Sequence, residues 1–171
     1  MSDAAPDIKT ILNPYEMQWY IEMYVGGQWT AVHRMTELNS ADHTAEPDEY
    51  ETAYIDRKNQ TKYVMSEKSQ VEFDLDMVGP DGVQKELYAV EDSYNVPGRI
   101  TRTLAYDFSK GAACQDTALV AKRAECIVNT SPITQGSTTD PLRMTVTVSL
   151  TGDWQFGTFD ATSDTFTPKQ G

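Results

Sequence analysis

Basic residues are scarce in this chain of 171 residues. Lys and Arg number 14 against 26 Asp and Glu, a formal net charge of −12 at pH 7, with an isoelectric point near 4.4. Reading nucleic acid by sequence needs a basic footprint for the phosphates, so that class is excluded. A protein that DNA slides past without adhering is not. Histidine occurs twice, as His33 and His43, and cysteine twice, as Cys114 and Cys126. The cysteine spacing fits no zinc frame, and His43, although near Asp42, Glu46 and Asp48, belongs to no known ligand spacing. His33 falls in a strand pattern as a solvated residue. No metal or other cofactor is therefore expected, and the thiols are read as buried or idle, with a bridge as the alternative. Phosphate loops, GxSxG and HExxH are absent, and no Ser or Cys has a recognisable partner base, which disfavours an enzyme. No apolar run approaches the ~20 residues that cross a bilayer. Met1–Asp7 lacks the basic and apolar regions of a secretory signal, so a soluble chain made in the cytosol, with no membrane partner, is expected.

Apolar residues are also thin, at 39%, against roughly 45–50% for a compact domain, and the mean hydropathy is −0.51. The deficit fits an all-β domain with long polar loops, or a subunit that completes its burial in an assembly. The length fits one domain over 1–171, and no solenoid or propeller period repeats.

Met17–Val25 is rich in aromatic and β-branched residues and predicts a strand. Gly26-Gly27 is its hairpin turn and Gln28–Met35 the returning partner. Residues 36–49 are polar, acidic and without period, which predicts a long loop. Tyr50–Asp56 and Lys62–Ser66 are short strand candidates. From Val71 to Met77 the period is two, with Val71, Phe73, Leu75 and Met77 on one face and Glu72, Asp74 and Asp76 on the other. Gly79-Pro80-Asp81-Gly82 breaks this strand. Val83, Leu87, Val90 and Tyr94 then recur on one helical face, with Asp81 as N-cap, Gln84 in a capping-box position, and Asn95 and Pro97-Gly98 as terminators. Arg99–Phe108 and Thr117–Val128 predict strands, 129–141 a second long loop, and Met144–Leu150 a strand with Met144, Val146, Val148 and Leu150 inward. Trp154–Phe159 predicts a last strand, followed by a polar C-terminal arm at 160–171 with Phe166 as its one large apolar anchor. With an N-terminal arm at 1–15, the fold class is all-β with one helix.

The Glu72, Asp74, Asp76 ladder has a plain reading as a solvated sheet face. Its sharper reading is a water-filled channel wall, where like charges are tolerated and the negative field turns phosphate away. The residues Leu150-Thr151-Gly152-Asp153-Trp154-Gln155-Phe156-Gly157-Thr158-Phe159-Asp160, followed by Ser163-Asp164-Thr165-Phe166-Thr167, form a closing Gly-Asp…Gly-x-Phe-Asp…Phe pattern. With Glu49-Tyr50-Glu51-Thr52-Ala53-Tyr54-Ile55-Asp56 and the helix after Gly79-Pro80-Asp81, this order resembles the major tail proteins (tail tube proteins) of long-tailed bacteriophages. The resemblance spans roughly 18–167.

The resemblance implies a β-sandwich or barrel-like subunit with one flanking helix. Six such subunits would close into a ring whose curved sheets join as a shared inner β-barrel, and rings would stack into a virion tail tube that delivers the genome. Implied partners are further copies of itself, a tape measure protein within the tube, terminator and tip proteins at its ends, and passing DNA. Glu72, Asp74 and Asp76 become candidate channel-lining acids. Glu37, Asp42, Glu46, Asp48, Thr138 and Asp140 become candidate ring-to-ring contacts. An appended immunoglobulin-like domain, carried by some relatives, is not expected. Two alternatives remain open. One is a tail terminator, or the tube of a contractile or tailocin particle; the other is a soluble β-sandwich binding module using Trp19, Tyr20, Tyr24 and Trp29 as an aromatic platform.

Overall fold

Trp19 and Phe73, far apart in the chain, meet in the middle of a rolled antiparallel sheet in the computed structural model. It describes residues 11–53, 55, 56, 58, 59, 61–79, 81–91, 93–135 and 138–171. Most of the expected N-terminal arm, Pro80 of the helix-initiating turn and residues 136 and 137 of the second loop lie outside the described residues. In chain order the elements are β1 (Met17–Val25), β2 (Gln28–Trp29), β3 (His33–Arg34), β4 (Leu38–Thr52), β5 (Thr61–Asp76) and α1 (Gly82–Ala89). Then come β6 (Val96–Leu104), β7 (Tyr106–Asp107), β8 (Ala112–Ala113), β9 (Leu119–Thr130), β10 (Thr134–Gln135), β11 (Leu142–Leu150), β12 (Gln155–Asp160) and β13 (Thr165–Pro168). A 3-10 turn at Pro14–Glu16 precedes β1.

The sheet runs β2-β1-β6-β9-β11-β5-β4. It branches at β9, whose residues 126–130 pair with β11 while 119–123 pair with β12, which carries β13. The strand order steps four times from β1 to β5, which in a flat sheet is about 19 Å. The rings of Trp19 and Phe73 nevertheless stand 5.3 Å apart, edge to face, so the sheet curls around its apolar face. The chain between β3 and β4 bridges the two ends of the curl: Met35 N–H donates to the Trp19 carbonyl and Asp76 N–H to the Glu37 carbonyl. The fold is therefore mostly β with one helix, as its composition implies, but among the described residues the single chain forms no closed barrel.

Inside the curl lie Ile21, Met23, Phe73, Leu75, Ile100, Val128, Val146 and Val148, all at most 2% exposed. Helix α1 covers them with Val83 and Leu87, and Val90, just past its end, packs with them. A second cluster of Tyr20, Leu119, Ala121 and Phe159 lies on the opposite face of the sheet, with Phe166 packed against it. The expected inward sets of β5 and β11 are thus observed, and Phe166 does anchor the C-terminal arm through β13.

Several expectations are corrected. Residues 36–49 are not a long loop: 38–52 form β4, a fifteen-residue strand. Its outer half is exposed on both faces, so no apolar alternation marks it, and its backbone is satisfied by pairing with β5. Pro47 is tolerated because β4 is an edge strand. The separate strands at 62–66 and 71–77 are one strand, β5. Helix α1 stops earlier than its periodicity suggests: Val90 has left helical geometry, Asn95 is left-handed at φ 58° and Tyr94 is exposed. Asp81 does cap it, accepting from the Val83 and Gln84 amides. Gln84, however, turns away from the cap and ties β5 to the helix, donating to the Asp76 carbonyl at 2.8 Å and accepting from Val78 N–H at 2.5 Å. Finally, Pro97-Gly98 and Asn129-Thr130 sit within β6 and β9, and Gln28–Met35 divides into the short β2 and β3.

Candidate assembly surfaces

Alternation on the curled strands leaves the second sheet face polar over most of its area. Successive registers place Asp42, Glu72 and Thr147 in one row, and Ser40, Asp74 and Thr145 in the next. Glu72 is exposed and faces Asp42 across the β4–β5 pair without a basic neighbour in its row. Asp74 accepts from the Thr145 hydroxyl at 2.6 Å. Asp76 accepts from Asn39 Nδ2 at 2.7 Å and Arg143 Nε at 2.9 Å. Those two hydrogen bonds hold the Asp76 carboxyl below its ordinary value. The ladder therefore sits on one face as its period requires, but it is graded: open at Glu72, hydrogen-bonded at Asp74, charge-paired at Asp76.

Further along the same face Arg99 is a hub. Its guanidinium bonds Glu22 at 3.3 Å and Glu125 at 3.5 Å, and stacks over the Trp29 ring at 4.1 Å. Tyr24 pairs with Trp29 at 5.3 Å. Trp19 and Tyr20 are buried, so the four aromatics of the first hairpin form no shared platform: two belong to the cores, and the other two pack on each other with Trp29 under Arg99.

The candidate ring contacts are dispersed. Asp42, Glu46 and Asp48 line up on one face of β4, all exposed, and Asp48 accepts from the Ser66 hydroxyl at 3.4 Å. Glu37, at φ 53°, lies at the other end of β5, where its carbonyl meets the Asp76 amide. Thr138 and Asp140 are exposed in the turn between β10 and β11. That turn leads into Arg143, the register partner of Asp76, so Glu37 and the 138–140 turn share one end of the sheet. Glu37, Met17 and Trp19 also help line a groove of about 930 Å³ beside the bridging segment.

On the apolar face, Arg102 and Lys122 are register partners on β6 and β9. They interrupt otherwise apolar series (Ile100, Arg102, Leu104 and Val120, Lys122, Ala124), a signal visible in the sequence once the strand faces are known. Lys122 Nζ lies 4.3 Å from the Trp154 ring centre and Arg102 5.9 Å from that of Trp19. Burial lowers both from their ordinary values, and for Lys122 the neighbouring Arg102 charge adds to this. Across from them His43 stacks edge-on against Trp154 at 5.9 Å. Desolvation first, and then the charges of Lys122 and Arg102, lower its pKa.

Among the described residues no group of three or more His, Cys, Asp or Glu could hold a metal ion, and no helix is long and apolar enough to cross a membrane. Cys114 and Cys126 are both free thiols. Burial, with help from Glu125, pushes the Cys126 thiol up to about 12, which makes it unreactive.

No protein-family model and no curated protein matches the chain. Solved structures do. The chain is similar to a protein from an extracellular contractile injection system, described as the PVC sheath/tube terminator in its extended state. The TM-score is 0.51 at 11% identity, over 88% of this chain and 99% of that one. A chain from the tail of an empty GTA particle aligns with TM-score 0.49 at 8% identity, over 85% and 98%. One from the anti-feeding prophage baseplate aligns with TM-score 0.49 at 7% identity, over 87% and 97%. The first of these shows that this chain shares the terminator's fold.

Proposed function

We propose that this chain is a structural, non-catalytic subunit of a phage-tail-like particle, and within it the terminator, a ring that caps the end of the tube. The observation that carries the reading is the fold likeness to a sheath/tube terminator over nearly the whole of both chains. It favours the second of the roles the sequence offers over the first, the stacked tube. The closing Gly-x-Phe-Asp…Phe pattern that suggested a tube protein is explained by local packing. A side chain at Gly157 would strike the Thr167 carbonyl and the Phe166 ring, and Phe159 is buried in the second cluster. Such a hairpin serves a terminator as well as a tube subunit.

In this role the chain closes with further copies of itself into a hexameric ring against the tube end. The polar sheet face lines the opening, with Glu72, Asp74 and Asp76 among the residues that DNA or another cargo passes. Exposed Glu37, Thr138 and Asp140 at one end of the sheet meet the adjoining tail proteins. The chain is synthesised in the host cytoplasm and resides in the particle's tail. Gold-labelled antibody to the chain, applied to purified particles, tests the assignment. Label confined to one end of the tube supports the terminator, label along its length restores the tube reading, and unlabelled particles remove the chain from the tail.

A further inference from the structure

Among the described residues, the outer half of the β4–β5 hairpin pairs with no further strand. From Thr61 to Ser69, β5 pairs with β4 alone, because β11 joins it only from Gln70 onward. Nine residues of strand extend about 30 Å, and an isolated two-stranded ribbon is marginally stable in water. This one is also apolar at its surface: Val64 is 67% exposed and Met65 71%. Strand β4 carries Asp42, Glu46, Asp48, Glu49 and Glu51 and no Lys or Arg. Strand β5 sets Lys68 opposite Glu46 and Lys62 opposite Glu51, and among the described residues the one ion pair within the arm is Lys62 to Glu49 at 3.1 Å, so the arm keeps an acidic excess.

The Arg102–Lys122 pair has the opposite need. Both cations are half-buried, and neither has a carboxylate partner among the described residues. Their surroundings are apolar and partly open, with Phe156 66% exposed and Met17 39% exposed. Trp19, beneath Arg102, continues into the 930 Å³ groove. A cation that is partly desolvated and rests on an aromatic ring without a carboxylate is completed by an incoming one, and exposed Val64 and Met65 are matched by an apolar border.

We propose that the acidic outer hairpin of one copy docks on the Arg102–Lys122 strip of a second copy. The proposal rests on the self-assembling ring described above and names the contact that closes it. Charge complementarity within one sequence selects a second copy as the occupant.

Carbodiimide coupling of carboxylates to amines, applied to rings grown from mixed 14N and 15N protein, tests it by mass spectrometry. The expected products join Lys122 to Glu46, Asp48, Glu49 or Glu51 in heavy–light pairs. Lys122→Glu should raise the concentration needed for assembly at least tenfold, and Glu46→Lys with Glu51→Lys in the same chain should restore it. Unchanged circular dichroism and melting of each variant separate lost docking from lost folding. Wild-type rings that yield no heavy–light Lys122 product, or Lys122→Glu rings that form at the wild-type concentration, overturn the docking and leave the ring reading in place. Wild-type protein that remains monomeric overturns the ring, and the docking with it.

Discussion

The Trp19 and Phe73 rings meet edge to face at 5.3 Å and 78°, although β6, β9 and β11 stand between their strands in the sheet. That contact fixes the curl, and with it which face is core and which is free to line an opening. Phe73→Ala removes a fully buried ring from the centre of the curl and should cost about 3–5 kcal/mol. Urea unfolding followed by tryptophan fluorescence measures the loss, and the spectrum should also shift as Trp19 becomes solvated. A loss below about 1 kcal/mol would mean the two ends of the sheet do not depend on each other.

Gly98 lies where β1, β6 and β9 crowd together. A Cβ there would stand 2.9 Å from the Glu22 carbonyl oxygen and 2.9 Å from Val128 Cγ2, whereas one at Gly79 meets nothing within 4 Å. Gly98→Ala should therefore destabilise the fold by about 1–3 kcal/mol, and Gly79→Ala should change it little. Thermal melts of the two variants side by side give the comparison.

Hydrogen bonds from Asn39 and Arg143 lower the Asp76 carboxyl from its ordinary 3.8. Because the folded value is the lower one, the ionised group stabilises the fold. Its contribution is full above the ordinary value and is lost as pH falls through the lowered one. The gap in urea midpoint between wild type and Asp76→Asn should be level well above the ordinary value and close as pH falls through the lowered one. A gap independent of pH would show that the ionised carboxylate gains nothing from Asn39 and Arg143.

If the polar face lines an opening, its acids keep phosphate away. Asp42→Lys with Glu72→Lys converts the row that has no basic member and leaves the Asp76–Arg143 pair intact. Rings of this variant should form as wild type does but retain DNA in a gel at low salt and release it as salt rises. Rings that pass DNA like wild type would take these residues off the channel wall.

What was legible in the sequence follows burial. Strands β5 and β11 bury one face each, so Val71, Phe73, Leu75, Val146 and Val148 announced themselves by period two, and Asp81 announced the helix by its capping chemistry. Strand β4 buries almost nothing beyond Leu38 and Ala41, so its pattern could not be told from a polar loop. Helix α1 was over-extended because Val90 and Tyr94 continue the spacing after the backbone has turned toward β6. The acid ladder was found, but not its grading, since Asn39 and Arg143 reach Asp76 only through cross-strand register. Arg102 and Lys122 carry no signal in the sequence alone, because a cation on an apolar face stands out only once that face is known.

The central claim is that this chain closes into a single capping ring. The purified protein, examined over a range of concentrations by native mass spectrometry and electron microscopy, tests it most directly. The account predicts one closed ring of fixed stoichiometry that does not stack further. Long hollow tubes would contradict the terminator role, and a monomer of 19.1 kDa at every concentration would contradict the assembly itself.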